Sequence, residues 1–238
     1  MNDTRPFRVG FVPGVMPDKW FGRWRERTPH DALEAVPVED ADQESVLRDG
    51  RVDMCFVRLP VERGGLHVIP LYVEQHVAVL PREHELTVLD ELSVADLAHE
   101  QPVLPPETLP GWAEVASVER LEFPAMSVKD AIEVVASGTG FVVVPRSLAR
   151  LHQRKDVETR PVADGPESRV GLAWLVDNDD ERVERFIGIV RGRTANTSRA
   201  AEAAPKPGRT APPPRRRPAQ PKRPQKQSRT SSRKRRGR

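Results

Sequence analysis

The 238-residue chain has a single cysteine, Cys55, so no intramolecular disulfide can staple it. Cys55 sits in the apolar run DMCFV, the setting of a buried small thiol rather than a reactive one. No apolar run approaches the ~20 residues that cross a bilayer, and the start, MNDTRPFRVG, lacks the apolar centre of a secretory signal. The patterns of common catalytic machinery are missing too. There is no Gly-rich phosphate loop, no His pair at metal spacing, no Cys–His pair and no Gly-x-Ser-x-Gly elbow. Tandem repeats are absent. These gaps exclude secreted disulfide scaffolds and membrane spans, and argue for a cytoplasmic, non-enzymatic chain with no cofactor and no metal.

One further absence is local. Residues 195–238 contain no aromatic residue and no Ile, Leu or Val. Such a segment cannot bury enough apolar surface to offset its chain entropy, so it is expected to be disordered. It holds 15 of the 38 Lys/Arg residues and one acid, Glu202; the other 194 residues hold 23 Lys/Arg against 34 Asp/Glu. The net +3 therefore hides a tail of +14 on a body of −11. Within the tail, Arg215, Arg216 and Arg217 form one cluster, Lys222 and Arg223 a second, and Arg233, Lys234, Arg235 and Arg236 a third. Clusters of this kind bind DNA or RNA by counterion release, with little sequence readout when no aromatic is present to stack on a base. The alternatives are a solubilising tail, or one that folds back on the acidic body.

Residues 1–194 alternate between short apolar runs and amphipathic stretches. Residues 7–12 (FRVGFV) predict a strand and 18–27 a helix with Trp20, Phe21 and Trp24 on one side. An aromatic stripe at that spacing is either core packing or a face for a partner helix. A second strand is predicted over 32–38. Asp40 then caps a helix over 41–49 with Gln43 as reciprocal partner, and a third strand follows over 52–57. Strand–helix–strand–helix–strand with such connections implies a parallel sheet. Two strands are predicted over 66–71 and 75–80 with a break at 72–74, a short helix over 93–99, and short strands over 102–104 and 117–123.

Residues 127–148 form the best-defined unit. Ser127 and Asp130 make a capping box, Gly138 suits the positive φ of a helix end, and Gly140 permits close helix-to-strand packing. Residues 141–144 (FVVV) read as a strand covered on both faces, and Pro145 as a helix start. Strands at 157–162 and 170–176 and a helix at 179–191 complete the body.

Taken together, FRVGFV, WFGRWRERTPH, SVLRDGRVDMCFVR, GLHVIPLYVEQHVAVLPREHEL and VASGTGFVVVPRSLA resemble, in order, the effector-binding domain of LysR-type transcriptional regulators. The resemblance implies an α/β fold of two Rossmann-like subdomains of the type-2 periplasmic-binding-protein kind, joined by two crossover strands. The first lobe would comprise 1–74 and 163–194 and the second 75–162, with the tail at 195–238. It also implies a small-molecule cleft between the lobes, with candidate contacts Pro13, Gly14, Val15, Asp40, Arg58, Ser127, Val128, Phe141 and Pro145. A homodimer through the helix bearing Trp20 and Trp24 is a further implication.

The chain departs from the family in lacking the N-terminal helix-turn-helix and linker helix. Pro13, Gly14 and Asp40 stand where many members place hydroxyls that hold an effector carboxylate. An ionised Asp40 repels anions, so a neutral or cationic ligand is expected. Arg58 has two readings, a cleft-facing cation or an ion pair across the lobe. His67, His76, His84, His99 and His152 are scattered as surface or hinge residues. The expected function is a LysR-type effector-binding domain that stands alone, senses a small molecule or binds a partner, and acts on transcription. The alternative is a nucleic-acid-associated interaction protein with a vestigial cleft.

Overall fold

The computed structural model describes residues 5–192, so the three basic clusters of the tail lie outside the described residues. The chain opens with β1 (Phe7–Phe11), α1 (Asp18–Arg27), β2 (Leu33–Pro37), the single-turn α2 (Ser45–Arg48) and β3 (Met54–Leu59). β1 pairs in parallel with β2 on one side and β3 on the other, as the strand–helix alternation implies. Asp53, at the start of β3, is buried; it accepts the Arg8 backbone N–H at 2.8 Å and pairs with Arg5, which fixes the turn before the strand.

A 16-residue strand, β4 (Leu66–Pro81), follows. Beyond it come α3 (Trp112–Val115), α4 (Val128–Ala136), β5 (Val142–Pro145), α5 (Arg146–Leu151), β6 (Val157–Pro161), β7 (Glu167–Leu175) and α6 (Glu181–Val190). The strand order is β2-β1-β3-β7-β4-β5, with β6 also on β4. β4 changes partners along its length. Leu66 to Gln75 pair with β7, whereas His76 to Pro81 pair with β5 and β6. One strand therefore belongs to two sheets, and the chain returns to the first between β6 and β7. These are the two α/β subdomains and two crossings that the resemblance implies.

Several local expectations are corrected. The break at 72–74 does not form, because β7 runs alongside and supplies ladder partners for Tyr72, Val73 and Glu74. The extra residue, Leu71, is absorbed as a bulge between Pro70 and Tyr72. The helix at 41–49 is replaced by a 3₁₀ turn (Asp40–Asp42) and α2. Asp40 caps nothing, and the Gln43 amide instead bonds both backbone groups of Arg58, at 2.8 and 3.1 Å. No strand forms over 117–123. There the Gln101 side chain takes the place of a ladder, donating to Glu119 O at 2.7 Å and accepting from Leu121 N at 2.9 Å. Gly140 (φ +60°) lies against backbone rather than a helix, since a Cβ there would run into the Gln101 carbonyl.

The first sheet is packed on one face by an aromatic cluster. Trp24 stacks on Phe7 (centroids 5.1 Å apart), Trp20 stacks on Phe56 (4.9 Å), and Phe186 of α6 touches Phe7, Phe21, Trp24 and Phe56. Of the two readings of the α1 stripe, core packing is the one observed. Trp20, Phe21 and Trp24 are buried within their own lobe, so a homodimer through this helix has only its outer, charged face to use. Cys55 lies in the smaller cluster on the opposite face, with Val46, Leu47 and Val57, and burial pushes its thiol up to about 12. The second sheet is covered on both faces by largely aliphatic clusters, with Phe141 and Trp112 the large rings buried among them.

Candidate functional site

The two sheets meet over a cleft of about 1010 Å³. The loop after β1 supplies Pro13, Gly14, Val15 and Met16, and the start of α1 supplies Lys19 and Trp20. The end of β2 and the following loop supply Pro37, Val38 and Glu39; β4 supplies Tyr72 to Gln75; and α5 supplies Arg146, Ser147, Arg150 and Leu151. The geometry follows from local sequence. β1 ends at Pro13 and Gly14, and Gly14 takes a φ of +82° that few side chains tolerate, so the chain turns down toward α5. Pro145 ends β5 and caps α5, which brings Arg146, Ser147 and Arg150 to the same opening.

A partly buried polar network joins the lining residues Glu74 and Ser147 to Arg58 behind them. Arg58 Nη1 donates to Glu74 Oε2 at 3.0 Å and to Ser168 Oγ at 2.6 Å, and Nη2 donates to the Pro13 carbonyl at 3.0 Å. Arg58 Nε faces Asp40 Oδ1 at 3.6 Å. Ser147 Oγ donates to the same Glu74 oxygen at 2.8 Å. Two protein charges are thus neutralised in a partly dehydrated site, where an unpaired one would be costly. Of the two readings for Arg58, the ion pair is observed, with the guanidinium one contact behind the cleft lining.

Titration in this region follows burial. Partial burial pushes the Asp40 carboxyl above its ordinary value, although the Arg58 charge pulls the other way. Tyr72 is pushed up to about 12, first by burial and then by the Glu74 charge. The half-buried His76 is pushed down, chiefly by burial. Among the described residues no group of three His, Cys, Asp or Glu is arranged to hold a metal ion, and no helix is long and apolar enough to cross a membrane.

The structure brings together only some of the candidate contacts. Pro13, Gly14 and Val15 line the cleft, and Arg58 and Asp40 sit just behind it. Pro145 is buried next to the lining residue Arg146. Phe141 is buried in the second lobe's core, Val128 packs against that core, and Ser127 caps α4 at the surface; none of these three lines the cleft. Sequence reasoning missed Tyr72, Glu74, Ser147, Arg146 and Arg150. The expected break at 72–74 concealed the first two, since a carboxylate within a long strand otherwise marks a polar contact. Arg146 and Arg150 stand four apart directly after Pro145, a spacing that places both on one helix face.

Comparisons with known proteins agree with this architecture. Residues 3–195 match the LysR substrate binding domain family. The Hca operon transcriptional activator HcaR of Escherichia coli K12 is 26% identical over 211 residues, covering 83% of this chain and 71% of HcaR. The reduced OxyR regulatory domain from Pseudomonas aeruginosa superposes with a TM-score of 0.60 at 22% identity, over 78% of this chain and 96% of that one. The BenM effector binding domain with its effector benzoate gives 0.62 at 20% identity, over 85% and 95%. With a match that spans both sheets and both crossings, the chain belongs to the LysR substrate-binding domain family.

Proposed function

We propose that this chain is an effector-binding regulatory domain acting on transcription, and that its effector is a small, largely apolar compound without an acidic head. The cleft carries the reading. Its volume of about 1010 Å³ is at the upper end for small-molecule sites, and it is lined by the crossing strand at Tyr72 to Gln75 and by loops and helices of both lobes, so a bound molecule touches both lobes at once. Met16, Val73 and Leu151 are each more than half exposed around it, apolar surface that a ligand would cover. The floor's guanidinium is already neutralised by Glu74, while Lys19, Arg146 and Arg150 at the rim are exposed and hydrated. Asp40 repels anions less than expected, because Arg58 lies beside it. HcaR is a transcriptional activator, which supports a regulatory outcome over an enzymatic one.

A thermal-unfolding screen of neutral aromatic alcohols and amides, amines, and aromatic acids tests this. Neutral compounds should raise the midpoint saturably, by the linkage that gives about 2.7 kcal/mol at a hundredfold excess over Kd. Stabilisation by the acids alone overturns the ligand class. No stabilisation by any class supports the vestigial cleft instead.

The tail is the second part of the reading. Fifteen Lys/Arg against one acid in residues 195–238 support salt-dependent contact with DNA or RNA. Electrophoretic shift of the full chain and of residues 1–194 across a salt series is the test. The full chain should bind with log affinity falling by about 0.9 per phosphate neutralised for each decade of salt. Equal binding by residues 1–194 removes the role given to the tail.

A further inference from the structure

The cation behind the cleft already has a carboxylate on it, and that carboxylate comes from the crossing strand. Glu74 stands on β4 immediately before the point where the strand passes from β7 to β5 and β6. Its Oε2 accepts from Arg58 Nη1 of the first lobe at 3.0 Å and from Ser147 Oγ of the second at 2.8 Å. Both charged side chains are well shielded, with Arg58 14% and Glu74 11% exposed. The Pro13–Gly14 turn closes over the pair. The Pro13 carbonyl accepts from Arg58 Nη2 at 3.0 Å, and a Cβ on Gly14 would stand 2.6 Å from Ser147 Oγ. Loop, hinge strand and α5 thus converge on one carboxylate oxygen. A ligand acid entering the cleft would meet this hydroxyl and guanidinium only by displacing that oxygen.

We propose that Glu74 is a resident carboxylate. It fills the anion position between Arg58 and Ser147, joins the two lobes without any ligand, and so determines that the cleft admits compounds lacking an acidic head. This rests on the cleft being an effector site, as proposed above, but its test reads separately. A ligand acid and the Glu74 side chain compete for the same two donors, so removing one should make room for the other. An ion pair sealed off from the cleft would leave a vacancy that an added acid cannot reach.

The experiment is chemical rescue in the full chain. Glu74→Ala is titrated with acetate and with formate against chloride at equal ionic strength, following thermal unfolding. The expected result is a saturable rise of several degrees in the Glu74→Ala midpoint, none in the wild type, and none in Glu74→Ala/Arg58→Met. No rescue of Glu74→Ala, rescue that survives loss of Arg58, or an equal response in the wild type each overturns the proposal. Should Glu74→Ala not fold, the Arg58 Nε–H resonance of the wild type is followed during an acetate titration. An unmoved signal supports a site already filled, and a saturable shift overturns it. Rescue by acetate alongside a wild type that binds nothing in the neutral panel would keep the role of Glu74 and remove only the effector reading.

Discussion

The two lobes share one strand but are held together by different means. The first buries Phe7, Trp20, Phe21, Trp24, Phe56, Trp174 and Phe186 in a single cluster against a five-stranded sheet. Only four Trp and seven Phe exist in the chain, so most of its large rings are spent on this half. The second lobe has a three-stranded sheet, valine-rich clusters, and stitches between side chain and backbone where strands are missing. A few large residues fix the first lobe and many small ones fix the second. The first should therefore fail at single rings, and the second at points of close backbone approach.

The largest effect is expected from Trp24→Ala. The ring is fully buried, stacks on Phe7, and donates its Nε1–H to Asp31 O at 2.9 Å. Its removal should cost about 3–5 kcal/mol in urea unfolding. A loss below about 1 kcal/mol would break the comparison, since the ring is fully buried and packed against both Phe7 and Phe186.

Gly140→Ala is the matching probe of the second lobe. It combines a left-handed φ with a clash against the Gln101 carbonyl, so a methyl group should cost about 2–4 kcal/mol. Trp112, buried in that lobe with its Nε1–H on Leu97 O, offers a local fluorescence signal. If Trp112 and the first-lobe rings report one common midpoint in this variant, the lobes unfold together despite their different cores.

How much of this could be read from the chain differs between the lobes in the same way. The opening β1–α1–β2 and β3 were evident because strong apolar runs alternate with a helix whose aromatic spacing is unmistakable. The 127–148 unit was equally plain, as Ser127, Gly138 and the FVVV run each match a local rule. The second lobe's missing strand was not, because Val118, Leu121 and Phe123 look like strand residues. Nothing local says that the side chain of Gln101, about twenty positions earlier, bonds the backbone of Glu119 and Leu121 instead. The site was the least accessible. Pro13, Gly14 and Arg58 could be proposed from the family resemblance, but Glu74 and Ser147 meet only because β4 runs unbroken through its crossing. That continuity is supplied by β7, almost one hundred residues later.

Gln101→Ala should be a smaller loss, about 1 kcal/mol, because two hydrogen bonds at an exposed segment are exchanged for water. The informative readout is local. Amide exchange at Leu121 should accelerate while that of the first-lobe strands stays unchanged. Uniform acceleration across both lobes would mean that these stitches support the whole molecule rather than one half of it.

The smallest effect tests the seam itself. His76 is the first β4 residue to pair with the second sheet, and its carbonyl accepts from Val162 N at 3.2 Å, so it touches both crossing segments. Burial lowers its pKa from the ordinary 6.5, and the Arg58 charge acts in the same direction; a bond to the Pro166 backbone and the Glu74 charge oppose them. A histidine held below its unfolded value favours the neutral ring in the folded state. Its contribution is therefore complete above about pH 6.5 and is lost as pH falls toward the folded value. Wild type should lose stability relative to His76→Gln between about pH 8 and pH 5, by an amount that partial exposure keeps small. Probes in the two lobes decide what that loss means. Because His76 belongs to the strand common to both sheets, its protonation should lower both midpoints together, and a shift confined to Trp112 would place the cooperative boundary on the second-lobe side of the crossing.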